Sequence, residues 1–133
     1  MAIVIAAALV AACDETPSAP SDVVSRTWQL GSLQQDGSDP VVVADPSSYT
    51  LRLGDDGRVG VKSDCNSCSS AYALNESSST IEIGRLTCTL VACRQGSLDP
   101  RFAQALEGSK TVTQDGSQLT LRGGGVTLRF TPE

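Results

Sequence analysis

The sequence predicts a mainly β, α+β domain: an antiparallel meander or partial barrel with one short helix at about 99–107, stapled by disulfides. Three observations carry this prediction. Apolar and polar residues alternate in run after run, the period-two signature of half-buried strands. Short clusters of Gly, Asp and Ser separate those runs at hairpin spacing. Four cysteines fall in two close pairs, C-x2-C at 65/68 and C-x4-C at 88/93.

The elements follow in order. "RTWQLGSL" (26–33) alternates Trp28 and Leu30 with polar neighbours and is the first strand; "DGSDP" (36–40) is loop. "YTLRL" (49–53) puts Tyr49, Leu51 and Leu53 on one face, "GDDG" (54–57) turns, and "RVGVK" (58–62) puts Val59 and Val61 on one face, a hairpin by pattern. "AYAL" (71–74), the polar run "NESSS" and "TIEIG" (80–84) make a second hairpin with Ile81 and Ile83 inward. The helix has Asp99 as its N-cap and Pro100 as its first residue; Phe102, Ala105 and Leu106 share a face, and Gly108 ends it. "KTVTQ" (110–114), "QLTLR" (118–122) and "VTLRF" (126–130), separated by "DGS" and "GGG", close the domain with three strands.

The cysteines admit three chemistries. Four thiolates could bind zinc, but the second half-site is C-x4-C and neither half has the Gly-rich knuckle usual in zinc ribbons. A redox pair wants its first Cys at a helix N-terminus, and "CNSC" lies between strand patterns. Structural disulfides fit best, and four cysteines allow three connectivities. Opposed residues of a hairpin have a constant index sum, which favours the nested pairing Cys65–Cys93 and Cys68–Cys88 around the polar turn near residue 77. Both spacings within the pairs are odd, so the two bridges should not lie side by side. The outer bridge would close a loop of about 29 residues and contribute roughly 3–4 kcal/mol by loop entropy.

The start of the chain reads "MAIVIAAALVAAC". Its twelve apolar residues are too few to span about 30 Å of hydrocarbon at about 1.5 Å each, but they fit the apolar region of a secretory signal. "VAAC" resembles a bacterial lipobox, which implies lipidation of Cys13. The Lys or Arg that normally opens such a signal is absent before the apolar run. "DETPSAPSD" then reads as a solvated tether. The expected organisation is a signal peptide over 1–12, open to truncation at its start, the lipidated Cys and tether over 13–25, and the domain over 26–131. Two or more acyl chains give stable anchoring where one is marginal, so the expected location is the bacterial cell envelope, anchored to a membrane and exported. An exported chain meets an oxidising compartment, which agrees with disulfides.

Composition excludes several functions. The 133-residue chain carries net charge −5, and its ten Lys and Arg residues are spread out, against nucleic acid as a partner. It has no histidine, which removes the commonest general base and metal ligand. Aromatics are 4%, too few for a stacking platform. No cofactor and no metal site is expected, and the chain is expected to be a monomer.

"DGRVGVKSDCNSCSSAY", "IEIGRLTCTLVAC", "FAQALEG" and "LTLRGGGVTLRF" together resemble the META domain, also called HslJ-like, over about 26–131. The residues that match its motifs are Trp28, Asp56, Gly57, Gly60, Cys65, Asn66, Ser67, Tyr72, Thr89, Ala92 and Cys93. The family's Gly before the first motif Cys is Asp64 here, its Gly before the motif Tyr is replaced in "SA" (70–71), and the Arg and Met of T-R-M-A-C are Leu90 and Val91. Cys68 and Cys88 resemble an extra pair present in some lipoprotein members. The resemblance implies an envelope lipoprotein linked to stress or drug tolerance, in a family without an established catalytic activity.

Three functions follow as expectations. The first is a non-catalytic, lipid-anchored binding or envelope-stress protein with an unknown protein or envelope ligand. The second is an inhibitor or partner-binding module acting on an envelope enzyme, an analogy from fold. The third is a hydrolase using Asp55, Asp56, Asp64 or Glu82, or a Ser–Lys pair with Lys62 or Lys110; but Asp55 and Asp56 sit in a turn, where Asp is expected for backbone reasons. Asn66 and Ser67 are expected to satisfy backbone groups beside a disulfide, and Trp28 and Tyr72 to pack in the core.

Overall fold

The computed structural model describes residues 23–133. The signal, Cys13 and most of the tether lie outside the described residues. Among the described residues ten strands form: β1 (Thr27–Gln35), β2 (Val41–Val42), β3 (Tyr49–Leu53), β4 (Arg58–Ser63), β5 (Asn66–Asn75), β6 (Thr80–Ile83), β7 (Thr87–Cys88), β8 (Gly108–Asp115), β9 (Gln118–Gly123) and β10 (Val126–Pro132). One short helix, α1 (Arg101–Leu106), precedes β8. Every pairing is antiparallel. Eight strands run in the order β1-β3-β4-β5-β6-β8-β9-β10, and β10 pairs back onto β1 from Trp28↔Pro132 to Gln35↔Val126. The meander is therefore a closed eight-stranded barrel. The two-residue strands β2 and β7 continue it along β1 and β5.

The alternation does what the pattern predicts. On β3, Tyr49, Leu51 and Leu53 are buried; on β4, Val59, Val61 and Ser63 are; on β6, Ile81 and Ile83 are. Eight strands leave an interior that side chains can just fill, or that can hold one small ligand. Here side chains fill it: Trp28, Leu30, Leu51, Leu119, Leu121 and Phe130 are fully buried, and α1 adds Phe102 and Leu106. Each such side chain contributes about 1.5–3 kcal/mol when removed from water. Trp28 also donates its indole N–H to the Val23 carbonyl at 3.0 Å, which ties the start of the described chain to the core.

Strand directions give the barrel two unlike ends. One carries the tight turns between β3 and β4, β5 and β6, and β8 and β9, and here the chain enters through residues 23–26. The other collects the long β1–β3 connection, the 89–100 loop and α1. Two sequence readings change at this capped end. The helix starts at Arg101 with Pro100 as its N-cap and makes no side-chain cap bond; Asp99 is drawn away into a network described below. It stops at Leu106, and Gly108, at φ +92°, already begins β8. In the stretch "CNSC", Cys65 lies in the β4–β5 turn and Asn66, Ser67 and Cys68 open the ten-residue strand β5.

Candidate functional site: the capped end of the barrel

Both disulfides sit at the capped end. Cys65 bonds to Cys93 and Cys68 to Cys88, the nested pairing, with Cα separations of 5.5 Å and 4.0 Å. Cys68 and Cys88 are also register partners of β5 and β7. Cys68 faces the core and is 5% exposed, whereas Cys65, in the preceding turn, faces out. The odd spacing thus sends the bridges to different sides of the strand.

Asn66 lies between the bridges, on the same inward face as Cys68, and is 3% exposed. Its Oδ1 accepts from the Val91 N–H at 2.7 Å and from Thr89 Oγ1 at 2.9 Å. Its Nδ2 donates to the Val91 carbonyl at 2.9 Å and to Asp99 Oδ2 at 2.8 Å. The other Asp99 oxygen accepts from the buried Ser63 hydroxyl at 2.7 Å. One amide side chain so holds the 89–93 loop and, through Asp99, the start of α1. The Ser67 side chain points outward, but its N–H donates to Thr89 Oγ1, and Thr89 N–H donates back to the Ser67 carbonyl. Tyr49 anchors the rest of the cap: its hydroxyl accepts from the Leu98 N–H at 2.9 Å, and its ring meets Phe102 edge-on at 5.8 Å.

Asp64 occupies the turn between β4 and β5 at φ +57°. That backbone suits glycine, with Asp among the residues that tolerate it, which explains how the position accepts Asp where the family has Gly. Leu90 and Val91, in place of Arg and Met, are 95% and 58% exposed. Position 90 therefore points into solvent. Val42, on β2, is the other large exposed hydrophobic of the described residues, at 77%.

The remaining motif residues are structural. Asp56 accepts from the Arg58 N–H at 3.0 Å in the β3–β4 turn, beside Gly57 at φ +80°. Tyr72 is half-buried, and its hydroxyl donates to the Gly54 carbonyl of the same turn. Burial raises the Tyr72 pKa, with Asp56 and Asp55 adding to the effect. Gly60 and Ala92 are exposed, and Trp28 is in the core.

The groups weighed for catalysis do not converge. Asp55 and Asp56 lie in a turn at the end where the chain enters, Asp64 lies at the capped end, and Glu82 is on the outer face of β6. Lys62 points outward from β4 while Ser63 points inward. Lys110 is the exception: it faces the barrel interior and is 4% exposed. Its parity with Val112 on the predicted strand 110–114 was the signal that could have placed it there. Asp99 as the hub joining Ser63 to Asn66 had no such signal, because its place before Pro100 reads as a cap. No group of three or more metal-ligating side chains forms among the described residues.

The fold and its cap define a small, disulfide-stapled, eight-stranded antiparallel barrel with one end closed by a helix and a tethered loop. The chain belongs to the META domain family, whose model matches residues 21–133. Among curated proteins, none matches the sequence. Solved structures share the fold at low identity. A protein from Burkholderia xenovorans, solved by NMR, is 24% identical with a TM-score of 0.69, over 89% of this chain and 88% of that one. A duf4847 family protein from Bacteroides vulgatus is 11% identical, TM-score 0.59, over 84% and 95%. A lipocalin-like protein from Bacteroides uniformis is 20% identical, TM-score 0.55, over 83% and 97%.

Proposed function

We propose that this chain is a lipid-anchored envelope protein whose META barrel binds a partner under envelope or drug stress and performs no catalysis of its own. The observation that carries the reading is the polarity of the barrel. The described chain begins at the turn end, next to Val23 and Trp28, so an anchor at Cys13 would attach through the end opposite the cap. That end holds both disulfides and the exposed Leu90 and Val91. The dispersed carboxylates support the absence of catalysis, since paired-carboxylate hydrolysis needs two of them flanking one cleft. The filled interior supports binding at the rim and not in a central chamber. Replacing Cys13→Ser should move the protein from the membrane fraction to the soluble fraction; retention on membranes would refute the anchor.

The reading of an inhibitor or partner-binding module acting on an envelope enzyme is favoured by one feature, the outward Leu90–Val91 pair on a loop fixed by Asn66 and Cys93. A rigid loop presenting apolar side chains loses little entropy on binding. A photo-crosslinker at position 90 should capture one discrete protein, and the same label at Ser117, on the opposite end, should not. Equal labelling from both ends would sink this reading.

A further inference from the structure

Lys110 is an anomaly in the barrel. Its neighbour of the same parity on β8 is the buried Val112, and Lys110 is itself 4% exposed. Burying an ammonium is costly unless its protons are bonded or a counter-charge is near. Its Nζ donates to the Glu107 carbonyl at 2.7 Å, at the C-terminus of α1. That bond satisfies one of the orphan carbonyls of the helix, yet an ammonium has three protons to donate.

The ammonium borders a cavity of about 200 Å³ at the helix-capped end. Leu33, Ala105 and Val126 give it an apolar wall, and Arg101 and Gln104 add polar groups from α1. Glu107 also lines it, but its Oε1 is engaged by the Leu86 N–H at 3.1 Å. The ionisable lining is thus two cations and one carboxylate. The glycine run between β9 and β10 completes the geometry. A Cβ at Gly123 would press on Ser109 O and lie 3.2 Å from Lys110 Cδ; one at Gly124 would lie 3.6 Å from Nζ. The bare backbone lies against the lysine stem, and no side chain at 124 covers the ammonium.

We propose that Lys110, with Arg101 lining the same cavity, makes it a binding site for a small monocarboxylate with an apolar body. The carboxylate would accept from the free ammonium protons and the guanidinium, charge-assisted bonds that are stronger than neutral ones. The apolar body would lie against Leu33, Ala105 and Val126, a wall that gives inorganic anions nothing.

The test is an NMR titration of the full chain with benzoate, benzamide and inorganic phosphate. Benzoate should give saturable shifts centred on Lys110, Gln104 and Gly124, with benzamide and phosphate at least tenfold weaker. Lys110→Met, which keeps the stem, should weaken benzoate at least tenfold, and Arg101→Gln, at an exposed position, several-fold. In the unaltered chain, benzoate should shift the titration of the Lys110 ε-methylene upward and benzamide should not, a readout that needs no variant. Absence of saturable benzoate shifts, equal binding of benzamide or phosphate, or an unmoved Lys110 titration overturns the proposal.

Discussion

At the scale of single residues, Asn66 does the most. Its amide makes four bonds of 2.7–2.9 Å, and a longer one to Cys93 Sγ at 3.6 Å, that join β5 to the 89–93 loop and to Asp99. Asn66→Ala would take partners from the part-buried Asp99 oxygen and Val91 N–H, where leaving a group unpaired costs at most about 1–3 kcal/mol each. The expected loss is about 3 kcal/mol in chemical denaturation, with the cap loosened first in hydrogen exchange. Asp64, at φ +57°, makes the opposite prediction. Asp64→Gly relieves a left-handed residue, less the entropy a glycine adds to the unfolded chain. The net gain should be about 0.5–1 kcal/mol, seen as a higher denaturation midpoint at unchanged slope. Lys110 predicts a pH dependence. Burial lowers its pKa below the ordinary 10.5, and Glu107 only partly opposes this. The unfolded chain therefore binds the proton more tightly, so stability rises with pH between the folded pKa and 10.5. Stability of the natural chain should therefore rise as pH climbs toward 10.5. Lys110→Met should flatten that rise.

At the scale of elements, the two bridges differ in what surrounds them. Cys65 is exposed in a turn, whereas Cys68 is packed in the core opposite β7. Thiol exchange requires access to sulfur, so limited reduction followed by mass mapping should find Cys65–Cys93 opened before Cys68–Cys88. The reverse order would mean that β7 detaches more readily than the cap loop. The helix shows how tertiary contacts outvote local signals. Asp99-Pro100 reads as cap and first turn, but the carboxylate makes stronger use of the Ser63 hydroxyl and the Asn66 amide. The α1 core face survives this, because Phe102 and Leu106 still point into the barrel. β2 and β7 were not legible at all. Two residues carry no periodicity, and their pairing is set by where the β1–β3 and β6–α1 connections happen to lie.

At the scale of the molecule, the first and last strands of the barrel pair with each other, so closing it requires β1 and β10 together. Trp28, the single tryptophan, sits in that seam fully buried. Its fluorescence and far-UV circular dichroism should therefore follow one coincident unfolding transition, and Trp28→Ala should cost about 3–5 kcal/mol. Two separated transitions would mean that the seam opens independently. The sequence alone determined the strand-rich class, both long hairpins, the closing three strands and the core faces, because period-two alternation is a local consequence of the pleat. It also carried the nested cysteine pairing, because hairpin register fixes an index sum. Only the tertiary structure decided that the meander closes, that Asp99 serves Asn66 and not the helix, and that Lys110 ends beside a cavity under a glycine turn. Those outcomes depend on contacts between residues far apart in the chain, and no local period records which distant side chain will win a hydrogen bond.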